Sequence, residues 1–142
     1  MITMTTNHKH TPSDYLVILL GILGLLLGLK GLLNPASQYH MMGIDPTSLA
    51  PDSPIPGLFG SGSLSAIYVG ILYVFGVLNR WTRFKAYLIF ARMVMCIGFF
   101  WLVTVGRAPH AFIPAAIWEG TGAILILGSL WIDTFQKKRV PL

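Results

Sequence analysis

The sequence YLVILLGILGLLLGLKGLL, at residues 15–33, is almost entirely apolar. Lys30 is its only charged residue, and its length is close to the roughly 20 apolar residues that an α-helix needs to cross a bilayer core. The stretch is long for the apolar part of a signal peptide, and no small-residue cleavage pattern follows it. It is therefore predicted to be a retained membrane span.

Three further apolar stretches follow along the chain, at residues 58–78, 86–105 and 112–132. Only 11% of all residues are charged, against about a quarter in a soluble protein. In lipid, only a helix pairs all of its backbone groups within one span. We predict an all-α fold, a four-helix transmembrane bundle over residues 15–142 that follows a polar tail at 1–14. Short links make the last three spans antiparallel neighbours.

Lys and Arg residues are unequally distributed between the two ends of these spans. One end has only Lys30 and Arg107, and the other has Lys9, Arg80, Arg83, Lys85, Lys137, Lys138 and Arg139. The positive-inside rule then predicts that both termini are cytoplasmic. No recognition motif accompanies the net charge of +5, so nucleic acid is not an expected partner.

Small residues recur at helical spacing in the first and fourth spans. Such stripes let helices approach closely in lipid, which predicts a compact bundle and also allows a homodimer. The stripes consist of Gly21, Gly24, Gly28 and Gly31 in the first span, and of Ala115, Ala116, Gly120 and Ala123 in the fourth.

Glu119 is the first candidate for chemistry, because a charge inside a membrane costs at least a few kcal/mol unless it is compensated. It follows Phe112 by seven residues, which places it roughly 10 Å below the non-cytoplasmic surface. Small neighbours leave the space of a cavity around its carboxyl group, which could exchange protons with a substrate. Alternatively, the carboxyl group is structural and pairs with Arg107 or with a neighbouring helix.

Arg92 is the second charge inside a predicted span, six residues from its cytoplasmic end. By helical rise alone, it differs from Glu119 in depth by roughly 10 Å. A direct pair would need tilted helices and extended side chains. We therefore expect Arg92 to extend to the cytoplasmic surface or to support helix packing.

Polar residues on the non-cytoplasmic side complete the candidate site. Ser61, Ser65 and Tyr68 share a helix face near the depth of Glu119, where they could bind a substrate or hydrogen-bond between helices. His110 could share acid and base roles with Glu119, or lie only in the headgroup region. The proline-rich loop 34–57 is either a lid or a plain connector. No spacing typical of metal ligands occurs, so neither a metal nor another cofactor is expected.

The layout resembles small four-span membrane proteins of fungi, and more specifically the membrane hydrolase/cyclase proteins of fungal polyketide clusters. The resemblance is carried by Asn34 and Pro35 after the first span, residues 60–65 at the start of the second, Arg92, and the Trp118-Glu119-Gly120 stretch. It implies epoxide opening, by hydrolysis or by cyclisation to a cyclic ether. Glu119 would act with Asp45 or His110, in the endoplasmic reticulum and beside other biosynthetic enzymes.

The expected function is thus a membrane-embedded enzyme for a lipophilic natural-product intermediate. The expected substrate-binding residues are Tyr39, His40, Ser61, Ser65, Tyr68, Arg92 and Trp118. Two other classes stay open. One is a non-catalytic scaffold, resembling the small four-span protein that tethers sterol-synthesis enzymes. The other is a small proton-coupled carrier, although no inverted repeat is visible in the sequence.

Overall fold

The computed structural model describes residues 10–139, and within this range all regular secondary structure is helical. Most of the predicted tail 1–14, with Lys9, lies outside the described residues. The α-helices are α1 (Pro12–Leu33), α2 (Pro35–Met41), α3 (Ile55–Leu78), α4 (Phe84–Thr104) and α5 (Ile113–Arg139). Single 3-10 turns lie at Pro46–Ser48 and His110–Phe112.

The four long helices correspond to the four predicted spans, and each is long and apolar enough to cross a bilayer. Their first residues differ from the predicted ones by one to three positions. At α1 the reason is local, because Pro12 fits the first helical turn and the Asp14 carboxylate accepts a hydrogen bond of 2.8 Å from the Thr11 amide. The polar start of the helix therefore precedes the apolar stretch.

The loop 34–57 contains a short helix that the sequence did not predict. Pro35 starts α2 directly after α1, since the first position of a helix needs no N–H group. Tyr39 is buried in α2 and packs edge-on against Phe59 of α3, with ring centroids 5.2 Å apart. The expected four-helix architecture is thus extended by a fifth, short helix that folds back onto α3.

The long helices associate as two pairs, α1 with α3 and α4 with α5, and the pairs meet mainly along α1 and α5. The last three spans are predicted to be neighbours, and α4 and α5 pack closely as expected. Helix α3 contacts α4 through Tyr73, which meets Phe84 and Arg92, but it packs more extensively along α1. Glycines explain the difference: a Cβ atom on Gly21 would lie 2.9 Å from the Gly70 carbonyl oxygen, and one on Gly28 2.8 Å from that of Ser63. Backbone contact at this range requires glycine, so the predicted stripe of α1 faces α3.

The interior of the bundle is small, and its outer surface is apolar. Val17, Leu20 and Tyr73 belong to the buried core, whereas Leu33 is 82% exposed and Ile124 is 68% exposed. Monomeric soluble proteins rarely expose contiguous apolar patches larger than a few hundred Å². The long helices thus present most of their large apolar side chains to their surroundings.

One end of the bundle is held together by polar side chains, which we call the polar cap: Ser13, Asp14, Lys85 and Asp133. Lys85 pairs with Asp14 at 2.6 Å and also donates to the Ser13 hydroxyl, which in turn donates to the Asp133 carboxylate. Ser13 and Asp133 are buried. The cap therefore connects the starts of α1 and α4 to the end of α5.

Candidate functional site

The Arg92 guanidinium joins three helices inside the bundle. Its Nη1 lies 3.1 Å from Glu119 Oε2 of α5, and its Nε donates to the Tyr73 hydroxyl of α3 at 3.1 Å. Nη1 also donates to the Trp118 carbonyl oxygen at 3.4 Å. We call Tyr73, Arg92, Trp118 and Glu119 the Arg92 cluster. The structure therefore brings together the two charges that the sequence placed inside the spans.

Gly122 makes this arrangement possible. It follows Glu119 by one helical turn, and a Cβ atom on it would lie 2.6 Å from Arg92 Cζ. The missing side chain lets the guanidinium lie directly alongside α5. Of the two expectations for Arg92, extension to the nearer surface is wrong, whereas helix packing agrees with the structure. The space beside Gly122 lets the side chain reach Glu119 and contact both α3 and α5.

The aromatic rings of Tyr73 and Trp118 flank the guanidinium. Its Cζ lies 5.5 Å from the Tyr73 ring centroid and 5.9 Å from that of Trp118, within the range of cation–π attraction. Tyr73 is buried, whereas Trp118 is 39% exposed. Trp118, a predicted substrate-binding residue, thus forms the outer edge of the cluster.

Glu119 is the accessible member of the ion pair. Its side chain is 21% exposed, against 6% for Arg92. Arg92 occupies Oε2, and within the described residues no donor bonds to Oε1. Arg92 thus holds one carboxylate oxygen, while the other is free of a hydrogen-bond donor among the described residues.

Ser61, Ser65 and Tyr68 lie on the outer face of α3. Ser61 donates to the Leu58 carbonyl at 2.8 Å, Ser65 to the Ser61 carbonyl at 2.9 Å, and Tyr68 is 64% exposed. They share a face as predicted, but this face points away from the bundle. The buried face of α3 instead contains Ser63 and Tyr73.

Several other residues of the predicted site do not meet Glu119 in the described part of the chain. His110 is exposed at the start of its 3-10 turn, and Arg107 lies 5.6 Å from the Trp101 ring centroid instead of pairing with Glu119. His40 is exposed on α2, and Tyr39 is a packing residue. The predicted site residues therefore fall into several separate regions.

Asp45 has a local role in its loop. Its carboxylate accepts hydrogen bonds from the hydroxyl and the amide of Thr47, at 2.8 and 2.9 Å. The hydrogen bond from the Thr47 hydroxyl, followed by the one from the Thr47 amide, lowers the pKa of Asp45 below its ordinary value. The group is thus poorly suited to donate a proton near neutral pH.

No family model, curated protein or solved structure matches this chain. Between residues 10 and 139, no three His, Cys, Asp or Glu side chains come together as a metal site would require.

A cleft lies between α1, α2 and α3, apart from Glu119. Its volume is about 630 Å³, and its lining is predominantly apolar. The lining residues are Leu27, Gly28, Lys30, Gly31, Ser37, Gln38, Met41, Met42, Leu58, Phe59, Gly62, Ser63, Ala66 and Phe112. None of the predicted catalytic or substrate-binding residues is among them.

Sequence reasoning missed Tyr73 and Gln38. Tyr73 lies three residues after Gly70, and both belong to the buried stripe of α3. The helical spacing from Gly70 could have indicated that this tyrosine points inward. Gln38 donates to the Ser63 hydroxyl at 3.0 Å, a contact that depends on the unpredicted helix α2.

Proposed function

We propose that this chain is a four-span integral membrane enzyme that opens epoxides of lipophilic substrates by acid–base chemistry. The apolar exterior of the long helices supports membrane insertion, since lipid solvates such a surface directly. The distribution of Lys and Arg supports cytoplasmic termini. The resemblance to fungal hydrolase/cyclase proteins supplies the reaction class, the endoplasmic reticulum as location, and other biosynthetic enzymes as partners.

The Arg92–Glu119 ion pair is the observation that carries the proposal. Replacing a buried ion pair with well-packed apolar residues is often neutral or even stabilising. In a bilayer, charges are still more expensive, and they commonly mark functional sites. A catalytic role therefore explains this ion pair, with its N–O distance of 3.1 Å and one accessible carboxylate oxygen, better than a contribution to stability alone does.

One carboxylate suffices for the proposed reaction. Glu119 Oε1 takes a proton from water or from a substrate hydroxyl, and the resulting oxygen nucleophile attacks an epoxide carbon. The carbon–oxygen bond of the epoxide breaks, and its oxygen takes the proton back from Glu119. Hydrolysis then adds one water molecule, whereas cyclisation is an isomerisation. Arg92 holds Oε2, so that Oε1 keeps its orientation throughout.

A paired substitution separates catalysis from packing. In the double variant Arg92→Met/Glu119→Leu, both charges are removed together, so no buried charge is left unpaired. The buried Tyr73 hydroxyl loses its partner, which should cost about 1–3 kcal/mol of folding free energy. Glu119→Gln alone leaves the guanidinium without its counter-charge, which should cost about 3–5 kcal/mol of folding free energy. Turnover of a panel of lipophilic epoxides in reconstituted membranes is measured by mass spectrometry. We expect turnover by wild type and none by the double variant.

Turnover by the folded double variant at the wild-type rate would remove the ion pair from the chemistry. Thr104→Val is a matched control, because its exposed hydroxyl bonds only to the Trp101 carbonyl of its own helix. This variant should keep wild-type turnover.

A scaffold is the second candidate, and one feature of the site favours it. Within residues 10–139, the Arg92 guanidinium bonds to Tyr73, Trp118 and Glu119, all inside the bundle. On this alternative the cluster only fixes α3 against α4 and α5. No turnover by wild type, together with unchanged capture of biosynthetic enzymes by the double variant, would support it.

A further inference from the structure

The cleft between α1, α2 and α3 is a second candidate binding site, separate from the Arg92 cluster. Its volume of about 630 Å³ lies within the range of pockets that bury drug-sized ligands. Leu27, Leu58 and Phe59 form apolar walls, and Met41 and Met42 contribute thioethers that adapt to irregular ligands. The cleft thus suits a flexible apolar chain.

Helix α2 is fixed in place, so the cleft is preformed. The Gln38 amide donates to the Ser63 hydroxyl at 3.0 Å and lies directly against Gly31, where no side chain would fit. Helix α2 is thereby fastened to both α1 and α3. The amide and the hydroxyl satisfy each other, so they do not provide free groups for recognising a ligand.

Lys30 is the charged residue of the lining. It is exposed in the last turn of α1, and it forms no ion pair with any of the five acidic residues, all of which lie in the described part of the chain. An ammonium group beside an apolar cleft is complementary to a molecule with an anionic head and an apolar tail.

We infer that the cleft binds a single-chain anionic amphiphile, a long-chain carboxylate, with its head group on Lys30. The Lys30 ammonium group would pair with the single carboxylate of such a ligand, and the apolar walls of the cleft would contact its single tail. The inference does not depend on epoxide chemistry, because Glu119 does not line the cleft.

Photolabelling tests this site in bilayers of phosphatidylcholine. The probe is a long-chain carboxylate with a diazirine in its tail and a terminal alkyne, and the labelled peptides are mapped by mass spectrometry. The corresponding long-chain alcohol is the neutral probe. We expect the carboxylate to label residues of α2 and the start of α3, about fivefold more strongly than the alcohol does.

Two variants address the head group and the tail separately. Lys30→Gln should reduce labelling by the carboxylate about fivefold and leave labelling by the alcohol unchanged. Gly62→Leu should abolish labelling by both, because Gly62 lines the cleft and its added Cβ would meet only open space. Gly60→Leu is the matched control, on the same helix and equally unobstructed but outside the lining, and it should label as wild type.

Equal labelling of wild type by the two probes would overturn the inference. It would also be overturned if an anionic phospholipid, but not oleate, competed with the probe, since the cleft would then hold a membrane lipid. Labelling should persist in Arg92→Met/Glu119→Leu. Loss of turnover there with labelling retained would show the two sites to be independent.

Discussion

At the scale of single residues, the position of the Arg92 side chain depends on what its neighbours lack. Gly122 leaves the space in which the guanidinium lies, and Glu119, one turn earlier on α5, provides its counter-charge. Tyr73 fixes the Nε side with a hydrogen bond of 3.1 Å. The ion pair is thus sensitive to a single added methyl group.

We expect Gly122→Ala to displace the guanidinium and weaken the ion pair. Its methyl group would lie 2.6 Å from Arg92 Cζ, and Tyr73 and Glu119 leave the guanidinium little room to move. The free energy of unfolding in detergent should fall by about 1–3 kcal/mol. Gly128→Ala on the same helix meets open space and should be neutral, or stabilising by up to about 1 kcal/mol. Equal stabilities of the two variants would contradict this packing argument.

The sequence singled out Glu119 and Arg92 because a charged residue is conspicuous against an apolar background, and the structure brings the two together. It did not identify Tyr73, and it selected Ser61 and Ser65 although they lie on the outer face of α3. Helical spacing shows which residues share a face, but it does not show where that face points. The direction is set by the glycine contact with α1, which is a tertiary feature.

At the scale of helices, length and apolarity were sufficient to predict the four long elements. Helix α2 was missed because its seven residues are too few and too polar to give an apolar pattern. The pairing of α3 with α1 was missed because short links suggested that consecutive helices pack together. In the structure, the close backbone contacts at Gly21 and Gly28 favour packing of α3 along α1.

The polar cap should stabilise the ends of three helices. Asp133→Ala removes the carboxylate that accepts a hydrogen bond from the buried Ser13 hydroxyl, so this hydroxyl loses one hydrogen-bond partner. We expect a loss of about 1–3 kcal/mol in the free energy of unfolding, with faster hydrogen exchange at the start of α1.

Thr134→Ala is the neighbouring control for the cap. Its exposed hydroxyl donates only to the Leu130 carbonyl of its own helix, at 2.6 Å. Hydrogen exchange at the start of α1 should stay at the wild-type rate in this variant. Faster exchange there in both variants would mean that α5 frays generally and that the cap has no specific role.

At the scale of the whole molecule, the distribution of basic residues predicts which loops face the cytoplasm. In a Cys96→Ser background, Asp52→Cys tests the long loop and Thr82→Cys tests the turn between α3 and α4. In sealed microsomes, whose cytoplasmic face is outward, an impermeant maleimide should label Thr82→Cys at once. Asp52→Cys should react only after detergent is added. The reverse pattern would invert the proposed orientation.

The location of the ion pair within one pair of consecutive helices also bears on how the protein is made. Helices α4 and α5 are joined by a short connection and pack against each other along their length. If the proposed membrane insertion takes this hairpin into lipid as one unit, Arg92 and Glu119 neutralise each other on entry. Neither of these two charges then has to enter the lipid alone.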